Sequence, residues 1–158
     1  MISSSTEHLA DRATRMGILV NLGIPALTVA VAVLLREGHL LGLPEAMPEF
    51  LQPLFYILGG VALMELAAAY LLRRLFFSPA RVAPFCHDPN QIELWVVRSS
   101  FVIFAMGASP IVYGVVVYLI GGDLRQLAFF GLLTLLAYRL LRPTGDLIDE
   151  TLESAQKL

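Results

Sequence analysis

Charge and cysteine are scarce in this sequence of 158 residues. Charged residues make up 15% of it and hydrophobic residues 57%, whereas a soluble domain has about 25% charged and about 45–50% apolar residues. A net charge of −2 leaves no basic surface for phosphates, which argues against nucleic acid as a partner. The single cysteine, Cys86, excludes an internal disulfide and a cysteine-rich metal site. The composition is typical of a protein embedded in a bilayer.

Residues that hold cofactors or carry out catalysis are missing from the apolar segments. The histidines His8, His39 and His87 all fall outside them, which argues against a haem held by two histidines. The run Cys86-His87-Asp88 contains metal-binding residue types, but adjacent loop residues rarely suffice for a metal site. No nucleophile triad and no phosphate-binding loop is present in the sequence. We therefore expect no cofactor, no metal and no enzymatic activity.

Four apolar segments are present, at 16–35, 54–72, 96–120 and 127–141. A spanning helix needs about 17–25 apolar residues, so the first three are predicted to cross a membrane. The fourth is shorter, but Arg139 near its end can extend its side chain to the lipid–water interface. The sequence thus predicts an all-α integral membrane protein, a single domain with four transmembrane helices.

The arginine residues predict the orientation of the spans, because cytoplasmic loops carry an excess of basic residues. The connection 73–95 is rich in arginine, and arginines also flank the first and fourth spans on the terminal sides. These residues are Arg12, Arg15, Arg73, Arg74, Arg81, Arg139 and Arg142. Both termini and the loop 73–95 are therefore expected in the cytoplasm, with the protein in a bacterial inner membrane as two tandem hairpins. Similar Ala-Tyr motifs end spans two and four, which leaves open whether the hairpins are a duplication.

Short amphipathic helices are expected at the two ends of the chain. In the tail 143–158, Thr144 is predicted to cap a helix, and its apolar side chains fall on one side. We interpret this tail as a solvated end helix rather than a binding element. Asn90 is predicted to cap the third span, and the proline-rich segment 76–91 to form an irregular loop at the interface.

Glu65 is the only ionisable residue deep inside a predicted span. It precedes Arg73 by eight residues, or about 12 Å along a helix, which places it near mid-membrane. A carboxylate there is costly, so it should face other helices, be protonated or be paired. One reading is a neutral carboxyl group bonded to a neighbouring helix; the other is a group that binds and releases a proton. Asn21, one turn before Pro25, is expected to bond to the carbonyl that the proline frees or to another helix.

Small residues are predicted to form helix-packing surfaces in the second and third spans. Small side chains let backbones approach closely in lipid, where packing drives helix association. Pro110 is predicted to kink the third span mildly, with a close helix contact on its cytoplasmic side. Because small residues lie on several faces, we expect contacts with other copies or other subunits. The predicted packing residues are Gly59, Gly60, Ala105, Gly107, Ala108, Ser109, Pro110 and Gly114.

Residues 104–122, FAMGASPIVYGVVVYLIGG, resemble the outer helix of rotary-ATPase proteolipids, the subunit c family. In that family, small residues surround an ion-binding carboxylate, and Tyr-Gly and aliphatic residues follow. Aligned on Tyr113-Gly114, the carboxylate position is occupied here by Ala108, and no span has the glycine-repeat run of the family's inner helix. The resemblance implies thin helices packed side by side in an oligomer, and it transfers ion binding to no residue.

The function that these features favour is that of a non-catalytic membrane subunit, which oligomerises or packs within a larger inner-membrane complex. The alternative is a proteolipid-like subunit that translocates protons or ions by means of Glu65. A third reading is a small oligomeric membrane transporter in which Pro25 and Pro110 are points of flexing. The expected partners are lipid and either copies of the chain or other membrane subunits.

Overall fold

A computed structural model describes most of the chain, and helix is its only regular secondary structure in the described part. Four helices are long and apolar enough to cross a membrane, so the predicted all-α membrane architecture is confirmed at that level. They span His8–Glu37, Glu49–Phe76, Pro89–Leu119 and Leu124–Leu141. The described backbone covers residues 3–38, 48–86 and 88–157, and the described side chains cover 8–38, 49–86 and 88–157.

The first crossing helix is continuous but contains a π-helical turn. It consists of α1 (Ser3–Ile18), the turn (Leu19–Gly23) and α2 (Ile24–Glu37). Pro25 has no N–H to donate to the carbonyl four residues earlier, so a regular α-helix would lose a hydrogen bond there. The wider turn accommodates this loss, because the N–H of Ile24 donates to the carbonyl of Leu19 instead.

The other elements follow in short succession. They are α3 (Pro48–Phe76), α4 (Pro79–Val82) with a 3-10 turn (Ala83–Phe85), α5 (Pro89–Leu119), α6 (Leu124–Leu141) and α7 (Gly145–Ala155). The described residues of 76–91, which exclude His87, are therefore largely helical, and the prediction of an irregular loop there is wrong. The reason is that each proline stands at the start of a helical turn, where its missing N–H costs nothing.

The N-terminus of α5 is capped by Asp88, whose carboxylate accepts a hydrogen bond from the N–H of Asn90 at 2.9 Å. Asn90 itself lies inside the helix, so its predicted capping role is wrong. Pro89 occupies the first helical position, which displaces the cap to the residue before it.

Helix α5 is the centre of the bundle. It is joined to α6 by a turn in which Gly121 has a φ of 120°, and the two helices pack along each other. The first crossing helix and α3 also pack on α5, whereas α2 and α3 contact each other marginally at most. Accordingly, 50% of the apolar stretch of α5 is buried, compared with 22% of the corresponding stretch in the first crossing helix and 17% in α3. The other three crossing helices are thus held together mainly through α5.

The C-terminal helix α7 docks on the end of the bundle against α1 and α4. Thr144 caps it as predicted, accepting from the N–H of Leu147 at 3.4 Å. The Oγ1 of Thr151 lies 3.2 Å from the carbonyl oxygen of Phe77 and 2.6 Å from that of Leu147 in its own helix. The interpretation of the tail as a solvated end helix is wrong for one face, because α1 and α4 provide an apolar cover for it. The buried side chains of that face are Ile148, Thr151, Leu152 and Ala155.

Candidate intramembrane site

The carboxyl group of Glu65 lies where α3 packs on α5. The hydroxyl of Tyr113 donates to its Oε1 at 2.6 Å, and the hydroxyl of Ser109 is hydrogen bonded to its Oε2. Ser109 and Tyr113 are one helical turn apart, so they face the same side of α5. All three side chains are half-buried. Both carboxyl oxygens are therefore hydrogen bonded to hydroxyl groups, within the apolar part of the helix bundle.

No cation among the described residues lies within ion-pair distance of Glu65. The ion pair in that part of the chain joins Arg12 and Glu93, at the end of the bundle that holds α7. The nearest basic residues on α3, Arg73 and Arg74, lie two turns or more away. The site consequently has the polar atoms of one carboxyl group and two hydroxyls, without an opposite charge.

Ser109 has a second hydrogen-bond partner in its own helix. Its Oγ lies 2.8 Å from the carbonyl oxygen of Met106, and the bond to Glu65 is additional. Thr28 and Thr134 likewise bond to the backbone of their own helices, to the carbonyls of Ile24 and Phe130 at 2.9 and 3.1 Å.

Tyr113 is the member of the site that residue-level reasoning missed. The sequence identified Glu65 by its charge and Ser109 by its size, and Tyr113 entered only through the family resemblance. Hydroxyl residues spaced i, i+4 in an otherwise apolar helix are the signal that was available. Which helix supplies the partner is decided by packing, because Glu65 and Ser109 are far apart in the chain.

Two of the predicted packing glycines face α6. A Cβ atom at Gly114 would lie 2.7 Å from Cβ of Phe130, and one at Gly107 would lie 2.9 Å from Cδ1 of Leu141. At Gly114 the contacted Cβ is fixed to its helix, so α5 and α6 approach each other at a separation that only glycine allows, whereas at Gly107 the contacted atom is the end of the flexible Leu141 side chain. Gly107 and Gly114 are therefore part of the chain's own helix packing.

The remaining small residues point in different directions. Gly60 and Ala105 are exposed, and a Cβ added at Gly60 would meet nothing within 4 Å. Gly59 is buried but loosely packed, with the nearest atom of Phe129 at 3.8 Å from its added Cβ. Ala108 is half-buried, and Pro110 is buried in a helix that continues through it. The predicted common contact around Pro110 thus divides between α6, α3 and the outer surface.

Asn21 lies in the π-helical turn and is buried, with 1% of its surface exposed. Neither its Oδ1 nor its Nδ2 has a hydrogen-bond partner among the described residues. The predicted bond to the freed carbonyl or to another helix is therefore wrong for this part of the chain. Its Oδ1 instead faces Gly107 of α5, 3.2 Å from where a Cβ would stand. Asn21 does not join the Glu65 site.

A second polar cluster, which the sequence did not predict, lies at the C-terminal end of α5. Nη1 of Arg36 donates to the carbonyl of Tyr118 at 2.7 Å and to that of Gly122. The guanidinium also lies over the Tyr118 ring, 4.4 Å from its centroid. The Tyr118 hydroxyl donates in turn to Glu37 at 3.2 Å. We call Arg36, Glu37, Tyr118 and Gly122 the α2–α5 clamp.

No protein-family model, curated protein or solved structure matches this chain. The likeness of residues 104–122 to a proteolipid outer helix therefore stays a prediction. Ala108, at the family's carboxylate position, is followed by Ser109, which bonds to Glu65. Within the described residues no three His, Cys, Asp or Glu side chains come together as a metal site, and His87 lies outside those residues.

Proposed function

We propose that this protein is a non-catalytic subunit of a bacterial inner membrane, with both termini and residues 73–95 in the cytoplasm. In this proposal it associates laterally with copies of itself or with other membrane subunits. Its arginine distribution supports the orientation. The two tandem hairpins then meet along α5, which carries contacts from all the other crossing helices.

The observation that carries this proposal is the outer surface of α3. Gly60, Ala67 and Ala68 are all exposed there, and the space around Gly60 is open. Lipid chains do not require small side chains, whereas a second helix does if its backbone is to approach closely. Glu65 does not need an outside partner, because its oxygens are already bonded within the chain. The small residues are thus the feature of α3 that internal packing leaves unused.

Disulfide cross-linking in native membranes tests this surface. In a Cys86→Ser background, Gly60→Cys is expected to form cross-linked dimers, because copies would approach there. The matched control is Leu132→Cys, at an exposed position of α6, which is expected to remain uncross-linked. Gly60→Leu is expected to lower the association constant by about tenfold, equivalent to a loss of about 1.4 kcal/mol.

The mass of the detergent-solubilised assembly is a second measurement that can contradict the proposal. A particle containing one chain of 17.3 kDa with no other subunit, together with equal cross-linking at Gly60 and Leu132, would contradict the proposal. A particle containing further copies would support self-association. One containing a defined second membrane protein would support a mixed complex.

A second candidate function, translocation of protons or ions, is supported by the position of Glu65. Its carboxyl group is bonded to the residue after Ala108, close to where a proteolipid outer helix would hold its carboxylate. In proteoliposomes with an imposed gradient, translocation predicts a flux that Glu65→Gln abolishes while assembly is retained. The structural role predicts no flux above that of empty liposomes in either protein. Glu93→Gln, which changes a carboxyl group outside the site, is the control.

A further inference from the structure

Pro110 leaves a carbonyl group without its regular donor. In an α-helix the N–H of residue 110 would donate to the carbonyl of Met106, but proline has no N–H. The hydroxyl of Ser109 replaces that donor, since its Oγ lies 2.8 Å from the Met106 oxygen. The adjacent serine and proline therefore act together within α5.

The proton of Ser109 can satisfy only one acceptor. A serine hydroxyl has one proton to donate and two lone pairs that accept. Its Oγ is within hydrogen-bond distance of both the Met106 carbonyl and Oε2 of Glu65. If Ser109 donates to Met106, the bond to Glu65 requires a proton on Oε2. The hydroxyl of Tyr113 donates to Oε1, which accepts in either state of the carboxyl group.

The ionised alternative is unfavourable in this environment. A Glu65 carboxylate would take the Ser109 proton and leave the half-buried Met106 carbonyl without that donor, which is unfavourable away from water. It would also place an uncompensated charge in the apolar layer. Besides Glu65, the charged residues of α3, α5 and α6 in the described part are Glu49, Arg73, Arg74, Glu93, Arg98, Arg125 and Arg139, and none of these cations lies within ion-pair distance of Glu65.

We propose that Glu65 is a proton-binding site, held as the neutral carboxylic acid by a hydrogen-bond chain that runs in one direction. Tyr113 donates to Oε1 of Glu65, Oε2 donates to Ser109, and Ser109 donates to the Met106 carbonyl that Pro110 frees. Every polar atom of this hydrogen-bond chain then has a partner, and no net charge is buried. This inference does not rest on the proposed assembly, since all of its atoms belong to one copy.

Infrared difference spectroscopy of the full chain in lipid bilayers tests the protonation state at neutral pH. The spectrum of the wild type minus that of Glu65→Gln is expected to contain a carboxylic acid C=O stretching band, which shifts to lower frequency in D₂O. Glu93→Gln, which removes the ion-paired carboxylate, is the control and is expected to remove carboxylate bands instead. Carboxylate bands in the Glu65→Gln difference would overturn the proposal.

Two variants that each remove one hydroxyl group test the direction of the hydrogen-bond chain. Tyr113→Phe removes the bond to the carbonyl oxygen of the acid, so the C=O band is expected to move to higher frequency. Ser109→Ala removes the acceptor of the acid proton and is expected to shift the band less. Loss of the band in Ser109→Ala, or no shift in Tyr113→Phe, would contradict the assigned direction.

Two further measurements keep the proposal testable if a variant folds poorly. Gln can reproduce the bonds of the neutral acid, because its amide donates to Ser109 and its carbonyl accepts from Tyr113. Glu65→Gln is therefore expected to retain the wild-type Tm, and a clear fall would favour the carboxylate. On the wild type, a lipid-soluble carbodiimide should form one adduct at Glu65: the acid proton adds to nitrogen and the oxygen to carbon, followed by rearrangement to an N-acylurea. An unmodified Glu65 would count against the acid.

Discussion

Gly114→Ala is expected to cause a large loss of stability for so small a change. The added methyl group would stand 2.7 Å from Cβ of Phe130, an atom that cannot move away without its helix. Phe130 is fully buried between α5, α6 and α3, so α5 and α6 must separate along their length to relieve the overlap. Overpacking of this kind costs about 1–3 kcal/mol. We expect that fall in the free energy of unfolding, measured in mixed micelles by the fluorescence of Trp95.

The matched control is Gly131→Ala, which adds the same methyl group on the other side of the α5–α6 contact. Its nearest neighbour would be Cδ1 of Ile111 at 3.7 Å, an ordinary contact distance. Alanine has the higher helix propensity, so this variant is expected to be as stable as the wild type or more stable by up to about 1 kcal/mol. Equal stability of the two variants would mean that α5 and α6 do not pack as closely as described.

Arg36→Ala is expected to release the end of α5 from α2. The guanidinium satisfies two carbonyls at the C-terminal end of α5, where the helix dipole favours a positive charge, and it stacks on Tyr118. Hydrogen bonds to charged groups contribute about 1.5–3 kcal/mol. We therefore expect a loss of that size in unfolding free energy, together with faster hydrogen exchange at the last turn of α5.

Arg36→Lys separates charge from geometry in the α2–α5 clamp. Lysine keeps the positive charge but has no planar group to reach two carbonyls and lie on a ring, so part of the loss should remain. Arg125→Ala removes an exposed arginine from the first turn of α6, at the same end of the bundle, and should change stability by less than about 0.5 kcal/mol. A similar small effect at Arg36 would show that the clamp does not stabilise the fold.

Helix placement was largely readable from the sequence, because apolar length and the absence of internal charge are local properties. The exceptions arose where prolines stand. At Pro89 and Pro79 a proline starts a helix, which moves the cap to Asp88 and makes most of the described residues of 76–91 helical. At Pro25 a π-helical turn compensates for the missing N–H, and Asn21 does not form the hydrogen bond that was expected of it. Sequence alone does not state which of these local solutions a proline takes.

The candidate site was readable only in part. A lone Glu65 in an apolar segment requires partners, and this requirement follows from the cost of burying a charge. The identity of those partners depends on the rotation of α5 about its axis, which packing against α3 and α6 sets. The α2–α5 clamp was hidden for the same reason, since Arg36 and Tyr118 are far apart in the chain.

The sequence by itself determined that the chain has four apolar segments that form helices long enough to cross a membrane, with one carboxyl group, that of Glu65, deep among them. These properties follow from composition and length, which act residue by residue. Only the tertiary structure decided that residues 104–122 have three different roles: glycines that admit α6, Ser109 and Tyr113 that bond to Glu65, and Ala105 exposed outside. Small size is visible in a sequence, but the direction in which a side chain points is set by helix rotation, and helix rotation is set by the neighbouring helices.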